Sequence, residues 1–115
     1  MATIKSFTSL EQSKKLAEIL PLESADMVIW GKDLDSIAAT DAQKFMSGLK
    51  DRKMNYIPCW SLAALLSVLP SYEINNFGDG IQLDVKNNAL ATEGNETLLD
   101  LVVNMIIYLH ELKML

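Results

Sequence analysis

The segment LLDLVVNMIIYL, residues 98–109, constrains this chain most: ten of its twelve residues are apolar. Leu98, Val102, Met105, Leu109 and Leu112 fall on one stripe at helical spacing, and Leu99, Val103, Ile106 and Ile107 spread apolar surface beyond it. A helix apolar on most sides has to be covered on more than one of them. The run is too short for a bilayer, which takes about 20 apolar residues, and Asp100 and Asn104 interrupt it. The pattern predicts a helix over 96–113, capped by Asn95 after Gly94. A chain of 115 residues has limited material to surround such a helix. Part of it is therefore expected in a homodimer interface, through Leu99, Val103, Ile106 and Ile107. Trp30 is a further anchor if it is exposed on an edge strand.

Three other stretches carry helix signals. TSLEQSKKLAEIL, residues 8–20, opens on capping-box patterns, Ser9 with Gln12 and Thr8 with Glu11. Pro21 ends it near Leu20. Residues 40–53 repeat the pattern with Thr40 and Gln43, and Phe45, Met46 and Leu49 suit a short helix. Gly48 weakens it by about 1 kcal/mol relative to alanine. In IPCWSLAALLSVLP, residues 57–70, Pro58 suits a first helical turn, and Leu62, Leu65, Leu66 and Leu69 form a face that Ala63, Ala64 and Val68 widen. That helix is expected to be largely buried and to stop at Pro70.

Period-two patterns mark the strands. Met27 to Trp30 reads as a short strand followed by a turn at Gly31 to Asp33, and Met54 to Ile57 as extended chain before the proline. Tyr72 to Ile74, Ile81 to Val85 and the segment ALAT read as a three-stranded meander. Gly78 and Gly80 would supply one turn, and Asn87 with Asn88 the other. Its apolar face carries Ile81, Leu83 and Val85, and its wet face Gln82 and Asp84. The architecture expected is one α+β domain: a small antiparallel sheet of three to four strands packed against three to four helices as a two-layer sandwich.

Composition narrows the function. Half of the residues are hydrophobic and 22% are charged, with a net charge of −5, which suits an ordinary globular domain. Nucleic-acid binding draws its strength from Lys and Arg on phosphates. An acidic chain whose Lys14, Lys15, Lys50, Arg52 and Lys53 are interleaved with Glu18 and Asp51 is a poor candidate. The opening residues MATIKSFTSLEQSKK have no apolar core of a signal peptide. The protein is expected in the cytoplasm, in contact with neither nucleic acid nor membrane. The sequon at Asn95 to Thr97 then has no consequence.

Chemistry-bearing residues are sparse. Cys59, the single cysteine, would sit at the start of a helix, where a thiolate is stabilised, and His110, the single histidine, is the one available base. The opposing reading makes Cys59 a small buried hydrophobe beside Trp60 and His110 a cation at a helix C-terminus. One cysteine and one histidine cannot build a structural zinc site. Asp33 and Asp35 begin a calcium-loop pattern that Ile37 and Ala38 break. GDG at 78–80 lacks the context of a phosphate loop. No cofactor or metal is expected. Trp30, Trp60, Tyr56, Tyr72 and Phe77 are expected mainly to fill the core.

The segments TSLEQSKKLAEILPLESADM, IPCWSLAALLSVLP and DLVVNMIIYLHEL resemble a group of small proteins without established function, encoded by Bacteroides-type gut bacteria and their prophages or mobile elements. Together they cover less than half of the chain. The resemblance implies an accessory gene on a mobile element and carries over no functional residue. The leading expectation is a non-enzymatic protein-interaction module, homodimeric, with a host or phage protein as a further partner. The alternative is a small thiol-dependent enzyme using Cys59 with His110.

Overall fold

The computed structural model describes residues 7–40, 55–78 and 80–115, and the backbone but not the side chain of Phe77. The short helix expected over 40–53 lies almost wholly outside the described residues.

The first helix, α1 (Leu10–Ala17), starts as its sequence dictates. The Ser9 hydroxyl accepts from the Gln12 amide, and the Gln12 side chain accepts from the Ser9 amide, so two orphan donors are satisfied reciprocally. Its last turn closes with the Leu20 amide on the Leu16 carbonyl, 2.8 Å. Pro21 then caps a single 3-10 turn, Leu22–Ser24.

One sheet is built from β1 (Met27–Gly31), β2 (Ser36–Ala38) and β3 (Asn55–Cys59), with β1 in the centre and both pairings antiparallel. Ile29 lies between Ile37 and Ile57, and Trp30 between Ser36 and Tyr56. The β3 pairing corrects an expectation. Pro58 does not open a helix. It sits in a ladder opposite Val28, and the strand continues through Cys59. Among the described residues β3 is an edge strand, where proline's missing N–H is tolerated. Helix α2 (Leu62–Val68) starts later, with the Ser61 hydroxyl accepting from the Ala64 amide at 3.2 Å. A serine with cap geometry outcompetes proline as the start signal because it satisfies a donor that proline cannot reach. Helix α2 is also less buried than its composition suggests: Leu65 is its one buried residue.

The second sheet is the expected meander of β4 (Tyr72–Phe77), β5 (Gly80–Val85) and β6 (Asn88–Ala91), paired in that order. Gly78 has φ +57 in the first turn, a left-handed angle that glycine adopts without strain. In the second, Lys86 (φ 48) and Asn87 (φ 68) are the two central residues, and positive φ at both makes a type I′ turn, whose twist matches the strands. The turn is thus one residue earlier than expected, and Asn88 opens β6. Leu83 and Val85 are buried, while Gln82 and Asp84 are not, so the alternation falls as the sequence indicates. Among the described residues, then, the chain forms six strands in two three-stranded sheets rather than a single sheet of three or four.

Helix α3 (Leu98–Glu111) packs against β5, β6 and the helices α1 and α2. It is capped by Thr97, not Asn95: the Thr97 hydroxyl accepts from the Asp100 amide, and the Asp100 carboxylate accepts back from the Thr97 amide and hydroxyl. Leu99, Leu101, Val102, Val103, Met105, Ile106 and Leu109 are all buried. They join Leu16, Val28, Trp60, Leu65, Leu83 and Val85 in one core. No helix among the described residues is long and apolar enough to cross a membrane.

Candidate interaction surface

Cys59 ends a strand and is wholly shielded from solvent, and the helix after it starts three residues on, so it does not occupy a first helical turn. Its neighbours are hydroxyls. Thr8 Oγ1 lies 3.3 Å from Cys59 Sγ, and the thiol is also 3.4 Å from the Thr8 carbonyl. Thr8 Oγ1 further accepts from the Trp60 amide at 3.1 Å and shares a 2.8 Å bond with Ser13 Oγ. The hydrogens balance when Thr8 donates to sulfur, the thiol donates to the Thr8 carbonyl, and Ser13 donates to Thr8. This buried cluster leaves no polar atom orphaned. His110 is exposed in the last turn of α3, and no hydrogen bond joins it to Cys59. The structure therefore does not bring the two residues together as a nucleophile and base.

The residues expected to pair two copies divide into two groups. Leu99, Val103 and Ile106 are at most 1% exposed within a single chain. The chain's own helices and sheets supply the cover that its length had seemed to deny. Ile107 and Trp30 are half-buried against the same core. Trp60 is fully buried, its indole donating to the Ser24 hydroxyl at 2.9 Å.

Apolar surface does reach solvent at Ile37, Tyr56, Tyr72, Tyr108 and Leu115, and at Leu112, the last position of the expected stripe. Tyr56 and Tyr72 are 39% and 42% exposed, correcting the expectation that they fill the core. Tyr72 is the informative one, because of the strand that carries it. It stands opposite Val85 on the core-facing side of β4, and Val85 stands opposite Asn88. Helix α3 packs over β5 and β6; on that face of β4 Ile74 is packed against the core, while Tyr72 at the strand start is exposed.

The other face of the same margin is polar. Glu73 is directly opposite Asp84, and the Asp84 carboxylate accepts from Asn75 Nδ2 at 3.2 Å and from Gln82 Nε2 at 3.1 Å. Like charges directly opposed across a ladder are unfavourable, and these two amide donors partly neutralise the cluster. A surface depression of about 540 Å³ lies here, lined by Ser71, Tyr72, Glu73, Asp84, Lys86 and Asn87. Among the described residues no group of three His, Cys, Asp or Glu side chains is placed to hold a metal ion.

Strand β4 is also the free edge of its sheet among the described residues. Its six residues pair with β5 one to one, from Tyr72 with Val85 to Phe77 with Gly80, without a bulge. Edges are commonly guarded by charged side chains, lysine above all, by proline, a bulge or a cover, and Glu73 is the one charge on this one. YEINNF contains neither Lys nor Pro. That absence was readable in the sequence, but its meaning depends on β4 being at an edge, which only the strand order reveals. No known family, curated protein or solved structure matches the chain.

Proposed function

We propose that this protein is a non-enzymatic interaction module that works as a homodimer and recruits its partner through the exposed margin of the β4–β5–β6 sheet. One observation carries the reading: among the described residues β4 is a regular six-residue edge strand without lysine, proline or bulge, its one charge at Glu73, and it opens on a 42%-exposed tyrosine. Open edges are templates for another polypeptide, which gains main-chain hydrogen bonds along the strand. In this reading the meander and α3 make the two layers of the module, and β4 is where the partner joins. The contact that the sequence places on Leu99, Val103 and Ile106 moves to the sheet edge, because those side chains already serve the chain's own core.

The resemblance to products of mobile elements makes a host or phage protein the second class of partner, and the single buried thiol suits the reducing cytoplasm. Sedimentation equilibrium on the full chain tests the reading. A monomer–dimer equilibrium in the micromolar range is the expected result. A monomer up to the highest soluble concentration removes the homodimer.

A further inference from the structure

We infer that two copies join by antiparallel pairing of β4 with β4 in a single register centred on Ile74, making one continuous six-stranded sheet. This rests on the homodimer reading above and names its contact.

Among the described residues no strand pairs with the outer side of β4, and its backbone groups alternate between that side and β5. Ile81 turns its peptide groups toward the β6 side of the sheet: the Thr92 amide donates to the Ile81 carbonyl at 2.9 Å, and the Ile81 amide donates to Thr92 Oγ1 at 3.1 Å. Along an antiparallel strand the bonding side alternates residue by residue. Leu83 and Val85 therefore face β6, and Gly80, Gln82 and Asp84 face β4. Their ladder partners are Phe77, Asn75 and Glu73, which use their N–H and C=O groups on β5. Tyr72, Ile74 and Asn76 point theirs outward.

Parity then selects the register. In a two-fold arrangement that keeps both copies' core faces on the same side, residues with outward groups must oppose one another. Centring on Ile74 sets Ile74 against Ile74 of the second copy and Tyr72 against its Asn76, twice. All three outward residues are matched, with about six hydrogen bonds at two per opposed pair. One step toward the strand start would set Asn76 against Pro70, which has no N–H. One step the other way would set Tyr72 against Gly78, whose φ of +57 breaks the ladder. The centred register thus uses the edge fully, and neither neighbouring register does.

The side chains agree. Glu73 is the one charged residue of β4, and in this register it faces Asn75 of the second copy, an amide, instead of another carboxylate. The two Glu73 side chains meet only on the diagonal, about 7–8 Å apart. On the core side Ile74 meets Ile74, and Tyr72 extends over the second copy's margin. A self-complementary edge of this kind favours a second copy over an unrelated strand.

The test uses the full chain and reads both association and the edge itself. Amide exchange at Tyr72, Ile74 and Asn76 is followed at low and high protein concentration, alongside sedimentation equilibrium. The expected result is a dimer in which these three amides gain at least tenfold protection as it forms. Asn76→Pro removes an outward N–H without touching the β5 ladder, so it is expected to weaken the dimer at least tenfold while the monomer's circular dichroism is unchanged. Glu73→Gln removes the diagonal repulsion and is expected to tighten the dimer severalfold, which serves as the readout if the proline variant fails to fold. A dimer in which the three amides exchange freely and both substitutions are without effect overturns the β4 register and leaves the homodimer standing. A monomer throughout overturns both.

Discussion

Asp26 grips Ser61 with both carboxylate oxygens: the Ser61 amide donates to Oδ1 at 2.9 Å and the Ser61 hydroxyl to Oδ2 at 2.5 Å. The same hydroxyl accepts from the Ala64 amide at the start of α2. One carboxylate just before β1 thus fixes the corner where β3 passes into a helix. Asp26→Ala is expected to lower stability by about 1 kcal/mol, the scale of a lost helix cap at an exposed position. Urea denaturation checks this, and an unchanged midpoint would show that the corner holds without Asp26.

The Thr8 hydroxyl is more costly to lose, because it is buried and shared. In Thr8→Val the shape is kept while the Trp60 amide, the Ser13 hydroxyl and the Cys59 thiol each lose a partner. An unsatisfied buried donor costs about 1–3 kcal/mol. We expect about 2–3 kcal/mol in total and a fall in Tm of about 10 °C, measured by thermal circular dichroism.

Labelling of Cys59 by a thiol reagent is expected to follow opening of the fold rather than collision with the native state. The rate should lie on the order of a thousandfold below that in denaturant and rise with sub-denaturing urea, since only open molecules react. Fast labelling of the folded protein, unaffected by urea, would restore the thiol-dependent reading.

At the start of α3, Thr97→Ala is expected to cost about 1 kcal/mol. Asp100→Ala should cost more, because Asp100 Oδ1 also accepts from Gln12 Nε2 at 2.9 Å and so ties α3 to α1. A double-mutant cycle with Gln12→Ala separates the tie from the cap: a coupling energy near zero would assign the whole effect to the cap.

The turn between β5 and β6 is a place to gain stability. Lys86 and Asn87 occupy left-handed angles for which Asn-Gly is the favoured pair. The double variant Lys86→Asn/Asn87→Gly is expected to stabilise the protein by about 0.5–1 kcal/mol, read from the denaturation midpoint.

Local chemistry was legible in the sequence wherever a signal acts within a few residues. The Ser9–Gln12 box, the alternation of β5 and the middle of the α3 stripe, Val102, Met105 and Leu109, appear as their spacing implies, while Leu112 at its end is exposed. Where two signals competed, the nearer one misled: Pro58 suggested a helix start, and Asn95 suggested a cap. The structure prefers Ser61 and Thr97, each of which has a hydroxyl in reach of the amide three residues on. The pairing of Met27–Gly31 with Asn55–Cys59 was not readable, because partners so far apart leave no periodic trace in either strand. The candidate site was missed for the same reason. Whether YEINNF is a guarded centre or an open edge depends on strand order, which the residues of β4 do not encode.

The backbone joint between Thr8 and Trp60, 2.9 Å from the Thr8 amide to the Trp60 carbonyl, also orders events in time. Fifty-two residues separate the two. During synthesis α1 leaves the ribosome long before the strand end it docks on. A helix of eight residues is not stable alone in water, so it stays open until β3 is in place. The meander and α3, contiguous from Tyr72 to Glu111, make mostly near-neighbour contacts that close quickly. Helix α1, made before β3 and the meander, is therefore expected to fold after them, with pulsed hydrogen exchange showing protection in β5 and α3 before it reaches Ser13 and Leu16.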